Sequence, residues 1–103
     1  MKIGIPTEIK NHEYRVGMMP VGVQELTNAG HEVYVQTGAG LGVNATDDMY
    51  VDAGARILNN AKDVFDKSEM IIKVKEPQPV ETAMLKSIIK FTSSGPPIKT
   101  TDL

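Results

Sequence analysis

The chain has 103 residues, with 11 Lys+Arg against 13 Asp+Glu and a formal net charge of −2, which sets it at one small domain at most. Hydrophobic residues at 41% and charged residues at 23% match a soluble globular domain and argue against disorder, a collagen-like repeat or a bilayer span. No stripe of Lys/Arg offers a footprint for nucleic acid or an anionic membrane, and zero cysteines exclude disulfides, thiolate metal sites and a Cys nucleophile. The opening from Met1 to Pro6 lacks the apolar core of a signal peptide, so a cytoplasmic location is expected.

Taken in chain order, Lys2–Ile5 is a short apolar run stopped by Pro6 and reads as a first strand. Pro20 is favoured at a first helical position, Val23, Leu26 and Thr27 share a face behind it, and Gly30 supplies a left-handed stop. Glu32–Gln36 alternates Val33 and Val35 against Tyr34 as a second strand. Thr46 caps a short helix whose first turn carries Asp47 and Asp48 and which ends at Gly54. Ala55–Leu58 reads as a third strand, and Asn60 caps a helix with Ala61, Val64 and Phe65 on one face. Met70–Lys75 is the most continuous strand signal, stopped by Glu76-Pro77. A weak helix around Glu81–Leu85 then precedes a last strand, Ile88–Phe91.

This alternation predicts an α/β domain, Rossmann-like (flavodoxin-like), with a mostly parallel sheet and right-handed crossover helices. The stretch after Phe91 breaks the pattern. Two prolines, a glycine and five Ser/Thr between Thr92 and Leu103 predict a disordered tail rather than a further element.

Three groups of residues invite a chemical reading. The loop Thr37-Gly38-Ala39-Gly40-Leu41-Gly42 has the glycines of a phosphate cradle but the wrong spacing, and the next helix signal waits until Thr46. Glycines permitting positive φ in a surface loop are the stronger reading. Arg15 lies in the polar loop Thr7–Met19 after the first strand, and Lys75 ends the strand beginning at Met70. In a parallel sheet both therefore stand at the carboxyl edge, where ligands bind. An arginine fork and a lysine point charge together suit a small keto acid, although two solvated cations are the commoner outcome for such a pair. Glu8 and Glu13 flank Arg15 and are placed to orient it, while acidic residues in such loops are usually just solvated. His12 and His31 have no third ligand at metal spacing, so no metal site is expected.

The run Gly4-Ile5-Pro6-Thr7-Glu8-Ile9-Lys10-Asn11-His12-Glu13-Tyr14-Arg15-Val16 resembles the opening of the alanine dehydrogenase family. Gly30-His31-Glu32-Val33, the glycine loop, Ala53-Gly54-Ala55 and Ile72-Lys73-Val74-Lys75-Glu76-Pro77 agree with it, so that the likeness covers Met1 to Thr92. The related transhydrogenase alpha subunit shares the opening motif, while Lys73-Val74-Lys75-Glu76-Pro77 favours the dehydrogenase. The resemblance implies oxidative deamination of L-alanine to pyruvate and ammonia with NAD. Arg15 and Lys75 are then the substrate-binding residues, and Lys75 is also the catalytic one. It implies no cofactor-binding residue in this chain, because the family's NAD fingerprint lies in a second, downstream domain.

Departures from the family pattern set further expectations. After Thr92 the family continues into a Tyr-Leu-His-Leu-Ala-like segment and then the NAD domain, and neither appears here. The expectation is an incomplete substrate-domain fragment over 1–92 with an atypical tail over 93–103, inactive by itself. Two other readings stand beside it: a homo-oligomeric interaction module pairing through an exposed sheet edge, and a transhydrogenase-like domain. His12 replaces the usual asparagine, Gly17 a common alanine, and Met19 a Ser/Thr helix cap.

Overall fold

The apolar runs and capped stretches assemble into one six-stranded sheet in a computed structural model of the chain, which describes residues 1–9, 12–75, 78–82, 89–92 and 95–99. The elements are β1 (Lys2–Ile5), α1 (Pro20–Asn28), β2 (Glu32–Gln36), α2 (Asp47–Asp52), β3 (Arg56–Leu58), α3 (Ala61–Lys67), β4 (Met70–Lys73), α4 (Pro79–Thr82), β5 (Ile89–Thr92) and β6 (Gly95–Lys99). Sheet order is β3-β2-β1-β4-β5-β6, the doubly wound order of the Rossmann type rather than the 2-1-3-4-5 order of flavodoxin. Every pairing is parallel except that of β5 with β6. Among the described residues no helix is long and apolar enough to cross a membrane.

Strand alternation divides the core between the two faces. Ile3, Ile5, Val33 and Val35 pack with Val23 of α1 and Tyr50 of α2, whereas Ile71 packs with Val64 and Phe65 of α3. The chain winds outward through β1, β2 and β3, then α3 carries it back across so that β4 pairs with β1. Strands with consecutive numbers part company there, and the crevice at the carboxyl ends of β1 and β4 is the topological switch point.

Helix ends follow the capping chemistry written in the sequence. Thr46 Oγ1 accepts the Met49 N–H at 3.3 Å and Asn60 Oδ1 accepts the Asp63 N–H at 2.8 Å. Met19 occupies the N-cap of α1 with no side-chain bond to the first turn. Met19→Ser is expected to raise stability by about 1 kcal/mol, read as the shift in the urea midpoint. An unchanged midpoint would show that water already serves those N–H groups equally well.

Three expectations need correction. β4 stops at Lys73, not Lys75, because the N–H groups of Val74 and Lys75 turn away from the ladder to a side chain described below. The stretch expected to hold no element contains β6, which pairs antiparallel with β5 through Ile89↔Lys99, Lys90↔Ile98 and Thr92↔Gly95. Its register shifts between Lys90 and Thr92, and β6 ends the sheet. An edge position beside a bulge is where a strand tolerates Pro96 and Pro97, which have no N–H to offer a ladder. The weak helix begins at Pro79 rather than Glu81, and its expected continuation to Leu85 lies outside the described residues.

Candidate functional site

The loop from Thr7 to Met19 is held at several points along its length. Its start is fixed by the Thr7 N–H, which donates to Gln36 Oε1 at 2.9 Å. Its middle is fixed by Val16, which is buried in the core cluster next to exposed Arg15. Its end is fixed by the Tyr50 hydroxyl, which donates to the Met18 carbonyl at 2.7 Å. Desolvation of that fully buried phenol pushes its pKa up to about 12, so it remains a donor across the whole working pH range. Two glycines allow the loop to lie flat: a Cβ on Gly42 would meet the Tyr14 carbonyl, and one on Gly17 would meet the Ile72 carbonyl. The departure from alanine at Gly17 therefore goes with a backbone packed directly on β4.

Glu8 is the deepest anchor. Its Oε1 lies 2.9 Å from Lys73 Nζ, and its Oε2 accepts the Val74 N–H at 2.9 Å. Oε1 also accepts the Lys75 N–H at 3.3 Å. On the other side of Lys73 stands Glu81 Oε2 at 3.1 Å, while Glu81 Oε1 accepts the Gln78 N–H at 2.9 Å. All three side chains are at least 98% covered, with 1%, 2% and 2% exposed for Lys73, Glu8 and Glu81. One buried ammonium thus joins two buried carboxylates, and three backbone N–H groups share the surplus negative charge. This network ties the loop after β1 to the end of β4 and so fixes the backbone that carries Lys75. Glu8 is not a solvated surface acid.

Arg15 and Lys75 come together over Glu13. Arg15 Nε donates to Glu13 Oε2 and Nη2 donates to Oε1, each at 3.0 Å, and the Arg15 N–H donates to Oε2 at 3.0 Å. Lys75 Nζ lies 3.9 Å from Glu13 Oε1. The Glu13 side chain is 5% exposed, against 61% for Arg15 and 33% for Lys75, so a covered carboxylate carries two outward-reaching cations.

The Arg15 side-chain bonds hold the Glu13 carboxyl down from the usual 4.5 to about 2. The Arg15 N–H bond and the charges of Arg15 and Lys75 add to this, and partial desolvation opposes them. A folded value below the ordinary one means that the pairing stabilises the fold fully above pH 4.5. That stabilisation is lost as pH falls through about 2. Following the Glu13 carboxyl carbon by NMR across an acid titration is expected to place its midpoint near 2. A midpoint at the ordinary value in the intact fold would show that the fork does not form in solution.

The glycine loop behaves differently from the expectation of three permissive glycines. Only Gly38 has positive φ, +77°, among the three; Gly42 lies in a 3₁₀ turn, Leu41–Val43, and is required for the close approach just described. The Gly38 N–H and the Thr37 hydroxyl both donate to Asp47, at 2.9 and 2.6 Å. The adjacent cavity of about 280 Å³ is lined by Thr37, Gly38, Leu41, Thr46, Asp47 and Asp48. A carboxylate already holds the donors that a phosphate would need, and a second stands beside it. These residues do not fit the pyrophosphate of a dinucleotide.

Fold and site together define a doubly wound α/β domain that presents an Arg–Glu–Lys cluster at its switch point. The chain belongs to the family of the alanine dehydrogenase/PNT N-terminal domain, which matches residues 4–99. It is 57% identical over 86 residues to the alanine dehydrogenase of Methanococcus maripaludis, covering 84% of this chain and 23% of that protein. Among solved structures it superposes on an L-alanine dehydrogenase with a TM-score of 0.86 at 47% identity, covering 89% of this chain and 26% of the other. The transhydrogenase of Sinorhizobium meliloti follows at 0.78 and 33%, covering 84% and 26%. The chain thus spans about a quarter of the length of the relatives it matches.

Sequence reasoning placed Arg15 and Lys75 at one sheet edge, and the structure brings both to the same carboxylate. It missed Lys73 and Glu81. The available signal was a lysine two residues beyond Ile71 on the same strand face, a buried position that a charge occupies only with partners.

Proposed function

We propose that this chain is the substrate-binding part of an NAD-dependent alanine dehydrogenase, acting on L-alanine and pyruvate in the cytoplasm. The observation that carries the reading is the convergence of the Arg15 fork and the Lys75 ammonium on one carboxylate, in a domain of this family. Arg15 grips the substrate carboxylate, and Lys75 binds the carbonyl oxygen and offsets negative charge that gathers there during reaction. NAD, the hydride acceptor, finds no phosphate cradle in the glycine loop, whose donors Asp47 already holds, and the chain's part is to hold and orient the substrate. That substrate part runs through residues 4–99, the stretch the family matches, and takes in β6 beyond residue 92. The transhydrogenase reading is weaker, since identity and TM-score are both higher for the L-alanine dehydrogenase structure.

Titrating pyruvate into the chain while recording its two-dimensional amide NMR spectrum tests this. Saturable shifts clustered at Arg15, Lys75 and Glu13 are expected. A dispersed spectrum indifferent to millimolar pyruvate, or shifts confined to another part of the fold, would overturn it.

A further inference from the structure

We infer that Glu13 sets the charge of the substrate this site accepts, tuning the Arg15–Lys75 pair to a monocarboxylate and against a dicarboxylate. The inference rests on the reading of Arg15 and Lys75 as the substrate's binding groups, and it concerns specificity rather than binding as such.

The charges around Arg15 and Lys75 lead to it. Arg15 and Lys75 alone present two positive charges and would favour a ligand with two negative ones. Glu13 supplies one negative charge between them, at 3.0 Å from the guanidinium and 3.9 Å from the ammonium, and leaves a surplus of one. The other nearby carboxylates are engaged elsewhere. Glu8 and Glu81 share the one Lys73 ammonium, and their surplus negative charge is met by the N–H groups of Val74, Lys75 and Gln78.

Geometry lets Glu13 do this without closing the site. The guanidinium has five N–H donors. Glu13 takes its Nε side, through Nε and Nη2. Among the described residues nothing accepts from the opposite fork, formed by Nη1 and the second Nη2 hydrogen. That fork remains for one more carboxylate, on a side chain that is 61% exposed. The site is therefore a single-carboxylate seat in a field trimmed to match it, and a second carboxylate on the ligand meets the Glu13 charge with no cation left to answer it.

The test compares pyruvate with 2-oxoglutarate on the wild-type chain and on Glu13→Gln, by calorimetry with NMR assignment of the shifted residues. Glu13→Gln is expected to raise the affinity ratio of 2-oxoglutarate to pyruvate by at least about threefold, the effect of one unit charge roughly 6 Å away and screened by water. Glu13→Asp, which keeps the charge, is expected to leave the ratio near the wild-type value. A Glu13→Gln ratio equal to wild type, with pyruvate still seated at Arg15 and Lys75, overturns this inference and leaves the functional reading standing. Wild-type chain that binds neither acid at Arg15 and Lys75 overturns both. Were Glu13→Gln to lose its dispersed spectrum, Glu13→Ser carries the same change of charge and is read by the same ratio.

Discussion

Lys73→Met is expected to destabilise the domain by about 3–5 kcal/mol, even though methionine nearly matches the lysine stem in volume. The side chain is 1% exposed and its ammonium joins Glu8 and Glu81 at 2.9 and 3.1 Å. Without it two carboxylates, each 2% exposed, face one another with only backbone N–H groups for compensation. A domain of this size has about 5–15 kcal/mol in total, so the loss takes a large share of the stability. Urea unfolding of the chain at neutral pH measures it. Adding Glu8→Gln to Lys73→Met is expected to recover part of the loss, because it removes one of the stranded charges. A cost below 1 kcal/mol for Lys73→Met alone would mean that water reaches the triad.

The second large effect falls on binding. An Arg15→Lys chain is expected to hold pyruvate at least about tenfold more weakly than wild type, one lost charge-assisted hydrogen bond being worth about 1.5–3 kcal/mol. Charge is conserved in this substitution, so the loss isolates the fork. Lysine cannot donate to both Glu13 oxygens from one side and to a ligand carboxylate from the other, as the guanidinium does with Nε and Nη2 on Glu13. Calorimetric titration reads the affinity directly. Equal affinities would show that Arg15 acts only as a diffuse positive charge.

The course of β4 shows how a single side chain redraws a strand. Ile71, Ile72, Lys73, Val74 and Lys75 read as one continuous strand by residue type, yet pairing ends at Lys73. Glu8, more than sixty residues earlier in the chain, takes the N–H groups of Val74 and Lys75 and bends the strand end toward the loop after β1. No local pattern contains that competitor. β6 fails in the opposite direction, since Gly95, Pro96 and Pro97 are poor strand formers in isolation. The open edge of β5 supplies partners on either side of the two prolines, for Gly95 and for Ile98 and Lys99.

Local signals were dependable where the physics is local. Thr46 and Asn60 cap their helices through bonds spanning three residues, and Pro20 opens α1. The alternation of Val33 and Val35 against Tyr34 fits β2 over Glu32–Gln36. Strand order is not local. The switch point between β1 and β4 depends on α3 carrying the chain back across the sheet, and that crossing is what brings the loop of Arg15 beside the end of the strand that leads to Lys75.

By itself, then, the order of residues determined the α/β class, most element boundaries, the motif likeness and the shared edge of Arg15 and Lys75. The class and the boundaries follow from periodicity, capping and residue type within a few neighbours, the likeness from the motifs that carry it, and the shared edge from the parallel order that the alternation of elements implies. Only the tertiary structure decided that Glu13 would sit between the two cations and that Glu8, Lys73 and Glu81 would form one buried network. Ionic groups choose their partners by distance and desolvation, and both are properties of the folded chain.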